Sequence, residues 1–230
     1  MSRSSVRRPG VLPAPVPATL RALRRLYPDA GCSLDHAAPF ELLVATILSA
    51  QCTDIRVNMV TPGLFRAFPD PEAMAAASEG ALEEIIRSTG FFRAKARAIR
   101  GAARKIVAEY GGAVPRTMPA LVDLPGVGRK TANVVLGNAF GTPDGVVVDT
   151  HVGRLARRLG WSKEKDPVKV EADLNGLVPK GRWVWISHAL ILHGRAVCGA
   201  RKPDCTGCAL SSLCPRIGVN GTESAARRRP

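Results

Sequence analysis

The amino-acid sequence predicts an all-α protein. Apolar residues recur three and four positions apart through most of the chain, which is the spacing on the buried face of a helix. Proline or threonine precedes several of these segments and glycine follows others, as expected where helices start and end. Only residues 145–148, Gly-Val-Val-Val, are typical of extended backbone, and one segment of four residues does not make a sheet.

The first three predicted helices are defined by prolines and a cap. The first opens at Pro17, and leucines at helical spacing follow it. The second has Pro39 in its first turn, and its mostly apolar residues 40–48 are typical of a buried helix. Thr53 is suited to cap the third, which we expect to stop before the Thr-Pro-Gly sequence at residues 61–63.

The rest of the chain continues the helical pattern. Short helices are predicted from Pro71 and from about Gly80, and alanine-rich residues 93–110 form a longer one that ends at Gly111 and Gly112. The remaining predicted helices cover residues 118–122, 128–140, 166–178 and 181–193, and one more begins near Thr150.

The composition is that of an ordinary folded protein with an excess of positive charge. Lys and Arg number 33 against 19 Asp and Glu, which gives a net charge of +14. Six arginines lie in the first eight and the last four residues, yet the rest of the chain stays basic. This excess favours nucleic acid as a partner, with a solvated arginine-rich surface as the alternative.

Several other classes of protein are disfavoured. No apolar run approaches the roughly 18 residues that span a bilayer. The first eighteen residues lack the apolar core of a secretory signal, so we expect a cytoplasmic, nucleoid-associated protein that is not secreted. Aromatic residues make up only 5% of the chain, which disfavours an RNA-recognition sheet or a stacking groove for single strands.

A glycine-rich turn between two predicted helices is the first functional motif. It reads Leu-Pro-Gly-Val-Gly-Arg-Lys-Thr at residues 124–131. Gly126 and Gly128 can adopt positive φ and carry no Cβ, so their backbone can approach a phosphate oxygen closely. Arg129 and Lys130 follow at once, which favours a contact to the DNA backbone over an ordinary glycine turn. Such a contact carries no sequence information.

Four cysteines near the end of the chain are the second motif, and Cys32 and Cys52, far from them, are expected to be structural. The four are Cys198, Cys205, Cys208 and Cys214. Two disulfides would need an oxidising compartment. Zinc sites usually contain two close cysteine pairs, and only the central pair is close here. A [4Fe–4S] cluster accepts wider gaps, so the spacing places it modestly ahead of zinc.

Together these motifs resemble those of the endonuclease III family of DNA glycosylases. The family's DNA-inserting loop, helix-hairpin-helix, catalytic-aspartate segment and iron–sulfur loop are matched by Ser-Ala-Gln-Cys-Thr-Asp at 49–54, Leu-Pro-Gly-Val-Gly-Arg-Lys-Thr-Ala at 124–132, Val-Asp-Thr-His-Val at 148–152 and Cys-x6-Cys-x2-Cys-x5-Cys from 198. The resemblance runs from about residue 18 to residue 215, and it moves the four cysteines to a [4Fe–4S] cluster.

The resemblance implies that oxidised pyrimidines are excised from duplex DNA and that the strand is then cleaved at the abasic site. Lys130 is the implied nucleophile, whose neutral amine forms a Schiff base at C1′ of a flipped-out nucleotide. Because an ordinary lysine has a pKa of ~10.4, we expect desolvation and the positive end of a helix to lower it. Asp149 is implied to stabilise positive charge on the sugar or to accept the amine proton, and it also suits a helix N-cap.

The resemblance also assigns contacts to DNA. Gln51 is implied to fill the space that the extruded base leaves. Phe91 is favoured as a hydrophobic wedge, although an aromatic side chain that opens a helix is more often a core residue. The other assigned contacts are Leu124, Gly126, Gly128 and Arg129 of the hairpin, His151, and Arg201 and Lys202 of the iron–sulfur loop.

By resemblance, the chain forms two helical lobes. Residues 32–143 make the lobe with the hairpin, and residues 1–31 join residues 144–230 to make the cluster-bearing lobe. We expect residues 1–17 and 218–230 to be disordered tails that add non-specific affinity for DNA.

The expected partner is double-stranded DNA with damaged bases or abasic sites, bound by a monomer. Two other functions stay open. One is a non-catalytic helix-hairpin-helix protein that binds DNA and carries an iron–sulfur cluster. The other is a monofunctional adenine glycosylase relative, although Lys130 argues against it because those relatives lack this lysine.

Overall fold

A computed structural model describes residues 12–219 of the chain. Across these residues it contains α-helices, two short 3-10 helices and no β-strand, so the all-α prediction is confirmed. The α-helices are α1 (Val16–Leu26), α2 (Pro39–Leu48), α3 (Asp54–Ala67), α4 (Pro71–Ala76), α5 (Glu79–Ile86), α6 (Phe92–Tyr110), α7 (Met118–Val122), α8 (Arg129–Ala139), α9 (Thr150–Arg158), α10 (Pro167–Leu177) and α11 (Trp183–Ala196). The 3-10 helices are Arg87–Thr89 and Lys180–Arg182.

The helices divide between two compact units. One unit is Gly31–Val147 and contains α2 to α8. The other joins the residues up to Ala30 with those from Val148 onward, and so combines α1 with α9, α10 and α11. The second unit is therefore assembled from two separate parts of the chain.

Local sequence signals explain where most helices begin. Proline occupies the first turn of α1, α2, α4 and α10, where its missing N–H leaves no hydrogen bond unmade. Thr53 caps α3 as predicted, because its side chain accepts a hydrogen bond of 3.2 Å from the amide of Arg56. Asp70 caps α4 in the same way, accepting a bond of 2.7 Å from the amide of Ala73.

The predicted end of α3 is wrong. The helix runs through Pro62 to Ala67 and does not stop before residues 61–63. Pro62 is exposed, so the carbonyl that loses its partner lies on the solvent side. On the opposite face Val57, Thr61 and Leu64 are buried at helical spacing, and this burial stabilises the helix across the proline.

Helix α2 is the centre of the Gly31–Val147 unit. It packs against α3, α6 and α8, and its leucines Leu42, Leu43 and Leu48 have no exposed surface. Each such side chain stabilises the unit by roughly 1.5–3 kcal/mol relative to an exposed one. Helix α6 packs against α4 and α5 on another side of this core.

The second unit is built on α11, which packs against α1 and α9. Trp185 is buried, and its indole N–H donates to the carbonyl of Tyr27 over 2.9 Å. Trp161 is buried too and donates over 2.9 Å to the carbonyl of Ala14. The amide of Ala14 in turn donates over 2.8 Å to the carbonyl of Leu159.

These contacts correct the predicted N-terminal tail. Ala14 is buried and α1 begins at Val16, so residues 14–17 are ordered and not part of a disordered tail. The reason is tertiary, because the proline-rich segment supplies a buried alanine and a carbonyl that satisfies an indole. Residues 1–11 and 220–230 of the two predicted tails lie outside the described residues. Among the helices that are described, none is long and apolar enough to cross a membrane.

Candidate functional site

The glycine-rich hairpin between α7 and α8 is packed tightly against α6. Gly126 has a φ of +78°, which favours glycine, and a Cβ built there would lie 2.6 Å from the Cβ of Ala98. One turn further along α6, a Cβ on Gly101 would lie 3.2 Å from the ring of Pro125. The hairpin backbone therefore sits closer to α6 than any side chain at Gly126 would allow.

The outer side of the same hairpin is open. A Cβ on Gly128 would meet nothing within 4 Å. No hydrogen bond within residues 12–219 uses the amide of Gly126 or of Gly128. These amides and the start of α8 make a site where a phosphate oxygen can be bound by backbone donors.

Lys130 and Arg129 occupy the first two positions of α8. Lys130 is exposed, and it lies at the positive end of α8 as predicted. Arg129 forms an ion pair of 3.0 Å with Asp144, and both side chains are partly exposed.

Leu124, which is predicted to contact DNA, has a buried side chain and backbone groups that bond within the protein. The side chain is only 2% exposed and belongs to the hydrophobic core. Its amide donates over 3.1 Å to the carbonyl of Leu121, and its carbonyl accepts over 3.1 Å from the amide of Val127. An apolar residue before a tight turn is more useful as an anchor in the core, and that is its function here.

Asp149 caps α9 in the second unit. Its Oδ1 accepts a hydrogen bond of 2.8 Å from the amide of Val152, which holds the half-buried carboxylate in one orientation. His151 in the first turn of α9 is also half-buried, and its Nδ1 lies 3.1 Å from Nη2 of Arg154. The alternative interpretation of Asp149 as an N-cap is thus confirmed, and its second carboxylate oxygen is left for other contacts.

Gln51 and Phe91 share a rare backbone conformation. Only three non-glycine residues in the described part of the chain have left-handed φ, and two of them are Gln51 at 52° and Phe91 at 46°. Strain of this kind costs about 1–3 kcal/mol per residue and is concentrated at functional sites. Gln51 is exposed and Phe91 is 66% exposed, whereas its neighbour Phe92 packs against the core. The core interpretation therefore holds for Phe92 and not for Phe91.

The structure brings three of the predicted DNA contacts to one depression in the surface of the Gly31–Val147 unit. Gln51, Phe91 and Gly126 all line it. The remaining lining residues are Ile47 of α2, Ala50 in the turn after α2, and Ala94, Lys95 and Ala98 of α6.

Lys95 is a residue of this depression that sequence reasoning missed. It is only 5% exposed, and burial lowers its pKa. Its ammonium donates over 2.7 Å to the carbonyl of Leu48 and over 2.8 Å to the carbonyl of Thr89. A lysine within a helix of arginines and alanines gives no signal of burial, since most lysines face solvent.

The four predicted cysteine ligands come together in the second unit. All are free, half-buried thiols that line one cavity. Burial raises the pKa of Cys208 and Cys214, and neighbouring thiols add to the rise. The amide of Leu210 donates to Sγ of Cys208 over 3.4 Å, and Nε2 of His193 lies 3.4 Å from the same sulfur. Four thiols around one cavity supply the donor type that a thiolate-bound metal group requires, although no three His, Cys, Asp or Glu side chains among residues 12–219 are already arranged to hold a metal ion.

Arg158 holds the first part of this cysteine loop. It is 8% exposed and donates over 3.1 Å to Sγ of Cys198. The same guanidinium donates over 2.8 Å to the carbonyl of Gly199 and over 2.8 Å to that of Ala200. Its sequence context, Leu-Ala-Arg-Arg-Leu, did not distinguish it from its exposed relatives on other helices.

Arg201 and Lys202 lie between the first two cysteines of the loop. Both side chains are exposed, as a contact with phosphate requires. The turn beneath them is tight, because a Cβ on Gly199 would lie 3.2 Å from the carbonyl oxygen of Lys202.

Comparison with known proteins identifies the relatives of this arrangement. Residues 44–180 match the family described as HhH-GPD superfamily base excision DNA repair protein. The endonuclease III of Synechocystis sp. is 58% identical over 196 residues, which is 85% of this chain and 90% of that protein. The endonuclease III of Escherichia coli is 42% identical over 195 residues, 85% of this chain and 92% of that protein.

Solved structures agree with these relatives. A trapped endonuclease III–DNA covalent intermediate with an estranged adenine superposes with a TM-score of 0.82 at 44% identity, over 86% of this chain and 93% of that one. A non-covalent endonuclease III–DNA complex gives the same values. A thermostable thymine-DNA glycosylase is 25% identical with a TM-score of 0.78, over 86% of this chain and 94% of that one.

Proposed function

Because this chain belongs to the endonuclease III family of the HhH-GPD superfamily, we propose that it is a bifunctional base-excision enzyme. It removes damaged bases from double-stranded DNA and cleaves the strand at the abasic site. The observation that carries the proposal is the similarity, over most of both chains, to an endonuclease III trapped covalently on DNA. Oxidised pyrimidines are the proposed lesions. These relatives are bacterial proteins, which supports action on chromosomal DNA in the cytoplasm, and we propose that the protein acts as a monomer.

The first proposed step is capture of the DNA backbone by the hairpin. The amides of Gly126 and Gly128 donate to a phosphate, and the start of α8 adds its positive end. Arg129 adds charge once it exchanges Asp144 for phosphate. Arg201 and Lys202 make further phosphate contacts from the cysteine loop. None of these contacts reads a base, so they position the enzyme on any duplex.

The second step is extrusion of the damaged nucleotide. Phe91 enters the stack as an apolar wedge, which its 66% exposure allows. Gln51 fills the space of the lost base and hydrogen-bonds to the orphaned partner with its amide. Both side chains are presented from strained turns, so little reorganisation is needed when DNA arrives.

The chemical step is nucleophilic attack by Lys130. Its neutral amine bonds to C1′ of the sugar, and the damaged base leaves with the electron pair of the glycosidic bond and a proton. Lys130 is exposed in the free protein, so its amine is accessible to a bound nucleotide. Asp149 stabilises the positive charge that builds on the sugar with the oxygen that its cap bond leaves free.

The lyase step begins when the nitrogen lone pair expels O4′ from C1′, which opens the sugar ring; O4′ takes a proton from water and C1′ is left as a protonated Schiff base with Lys130. The iminium acidifies the proton on C2′, which is lost while the bond from C3′ to the phosphate oxygen breaks. Water then adds to the iminium carbon and releases Lys130 for another cycle. The strand is thereby cleaved on the 3′ side of the lesion by β-elimination.

The four cysteines are proposed to hold a [4Fe–4S] cluster, as the family resemblance implies. Cys198, Cys205, Cys208 and Cys214 would each supply one thiolate. When bound, the cluster cross-links a loop that contains little regular secondary structure. Arg158 supports the same loop by neutralising thiolate charge and by binding backbone carbonyls. We further propose that the two compact units correspond to a hairpin domain and a cluster domain.

The test is borohydride trapping on a duplex that carries an oxidised thymine. Wild-type protein is expected to give a covalent protein–DNA band, and Lys130→Ala is expected to give none while still binding the duplex. Lys169→Ala is the matched control, since Lys169 is an exposed lysine on α10 of the other unit. Asp149→Asn keeps the cap acceptor but loses the charge, so excision should fall about 10²- to 10⁴-fold with folding intact.

The outcomes separate the rival functions. Base release by the wild type without a trapped band would indicate a monofunctional glycosylase. Lesion binding with neither base release nor trapping would indicate a binding protein. A band that persists in Lys130→Ala would show that another amine is the nucleophile, and the mechanism above would be wrong.

A further inference from the structure

One face of α6 supports the three segments that surround the depression, namely the Gln51 turn, the Phe91 turn and the glycine-rich hairpin. Residues 91, 95, 98 and 101 follow at spacings of four, three and three, which places them on the same side of the helix. Phe91 presents its own ring, Ala98 lies against Gly126, and Gly101 lies against Pro125. The face is about 15 Å long at the rise of an α-helix. The position that remains is occupied by Lys95.

Lys95 joins two turns that are distant in sequence. The carbonyl of Leu48 ends α2, three residues before Gln51, and receives one hydrogen bond of 2.7 Å. The carbonyl of Thr89 ends a 3-10 helix, two residues before Phe91, and receives another of 2.8 Å. One ammonium group thus holds the base of both strained turns at once.

A buried ammonium group is a costly way to satisfy two carbonyls. Its charge loses most of its hydration, and the depression that it lines is bounded mainly by apolar side chains. An apolar side chain at this position would match the apolar lining without the cost of burying a charge. The role of Lys95 is therefore to connect the two turns through its hydrogen bonds.

We propose that Lys95 is a positioning residue that holds the Gln51 and Phe91 turns at the separation needed to extrude a base. This inference rests on the proposed function, because it assumes that both side chains enter the duplex. Lys95 itself does not touch the reacting atoms. A misplacement of about 1 Å in groups of this kind lowers the rate by up to about 100-fold.

The experiment uses Lys95→Met, which keeps the length of the side chain and removes its donors. Single-turnover base release from a paired oxidised thymine should fall about 10- to 100-fold. Strand cleavage at a preformed abasic site, where no base has to be unstacked, should fall less than about threefold. Affinity for undamaged duplex should change less than about threefold, since the hairpin amides are untouched. The fluorescence of a 2-aminopurine beside the lesion, which rises on unstacking, should lose its enzyme-dependent increase.

A matched control is Arg104→Met. Arg104 lies on the same helix, is exposed, and also donates to a backbone carbonyl, that of Ala75 over 3.2 Å. The substitution removes one positive charge from α6 without touching either turn. It is expected to change base release less than about twofold.

A double-mutant cycle tests whether Lys95 acts through the two turns. In a Gln51→Ala, Phe91→Ala background, adding Lys95→Met should lower base release less than about threefold further. A full additional loss of tenfold or more would show that Lys95 acts elsewhere and would overturn the inference. Equal losses of base release and of cleavage at the abasic site would show a general structural defect and would overturn it as well.

Failure of the inference differs from failure of the proposed function. If Lys95→Met released bases and raised the 2-aminopurine signal like the wild type, only the positioning role would be lost. If the wild type itself neither released the base nor cleaved an abasic site, the proposed function would be wrong whatever Lys95 does.

Discussion

Replacing Gly126 by alanine should destabilise the Gly31–Val147 unit far more than the same change at Gly128. At Gly126 the new side chain meets two costs. A φ of +78° costs a residue with a Cβ about 1–2 kcal/mol. The new Cβ would also lie 2.6 Å from the Cβ of Ala98, and overpacking of this kind costs about 1–3 kcal/mol. Lower entropy of the unfolded chain returns about 0.4–1 kcal/mol, so the net loss is about 1–5 kcal/mol.

Gly128 is the matched control two residues away. Its φ of −92° is ordinary, and a Cβ there would meet nothing within 4 Å. Alanine is a poorer N-cap than glycine by up to about 1 kcal/mol, and the gain from the unfolded chain offsets most of this. We expect Gly128→Ala to change the free energy of unfolding by less than about 0.5 kcal/mol.

The assay is denaturant unfolding followed by far-UV circular dichroism. Tryptophan fluorescence would not report unfolding of the Gly31–Val147 unit, because all three tryptophans lie in the other unit. In the double variant Gly126→Ala, Ala98→Gly the steric cost should disappear, giving a coupling energy of about 1–3 kcal/mol. Equal stability of Gly126→Ala and Gly128→Ala, or strict additivity in the double variant, would refute the close packing of the hairpin on α6.

Three further predictions follow from single side chains. Phe91→Gly should leave the free energy of unfolding unchanged or raise it by about 1 kcal/mol, because it relieves a left-handed φ at an exposed site. Base release from a paired lesion should fall. A stability loss above about 2 kcal/mol would place the ring in the core. Arg158→Met should cost about 2–5 kcal/mol in thermal or denaturant unfolding and lower the iron bound per chain, because the carbonyls of Gly199 and Ala200 lose their donor; unchanged stability and iron content would contradict this. Burial raises the pKa of Cys32, so less of it is thiolate at pH 8 than of a free cysteine. Peptide mapping should therefore show slower alkylation of Cys32, with a rate that rises as the pH increases above the ordinary thiol pKa. Alkylation at the rate of a free thiol would contradict this prediction.

Much of the local structure was predictable because its causes act within a few residues. Thr53 caps α3 through a bond to a residue three positions on. Asp149 caps α9 in the same way. Gly126 needs positive φ because a tight turn follows Pro125, and that requirement can be read from the turn alone.

Where the structure departs from what the sequence led us to expect, the cause is burial. The expected stop of α3 at residues 61–63 ignored the buried face that continues through Leu64. Leu124 was grouped with its motif as a DNA contact, although its side chain fills the core. The ordered residues 14–17 depend on Trp161, which lies far away in sequence.

Lys95 shows why the rest of the site could not be predicted. Its two partners lie 47 and 6 residues away, and nothing in the surrounding sequence separates it from a solvent-exposed lysine. Phe91 and Phe92 are adjacent and chemically identical, yet one is exposed and the other packs against the core.

The sequence by itself determined the helices, the hairpin and the family motifs, including four cysteines at a characteristic spacing. These depend on φ preferences, caps and covalent spacing, which are properties of short segments. Only the tertiary structure decided that α6 supports Gln51, Phe91 and Gly126 around one depression, and that Lys95 ties two turns together. Burial and long-range hydrogen bonds are properties of residues brought together by folding, so their pattern is set by packing and not by neighbours along the chain.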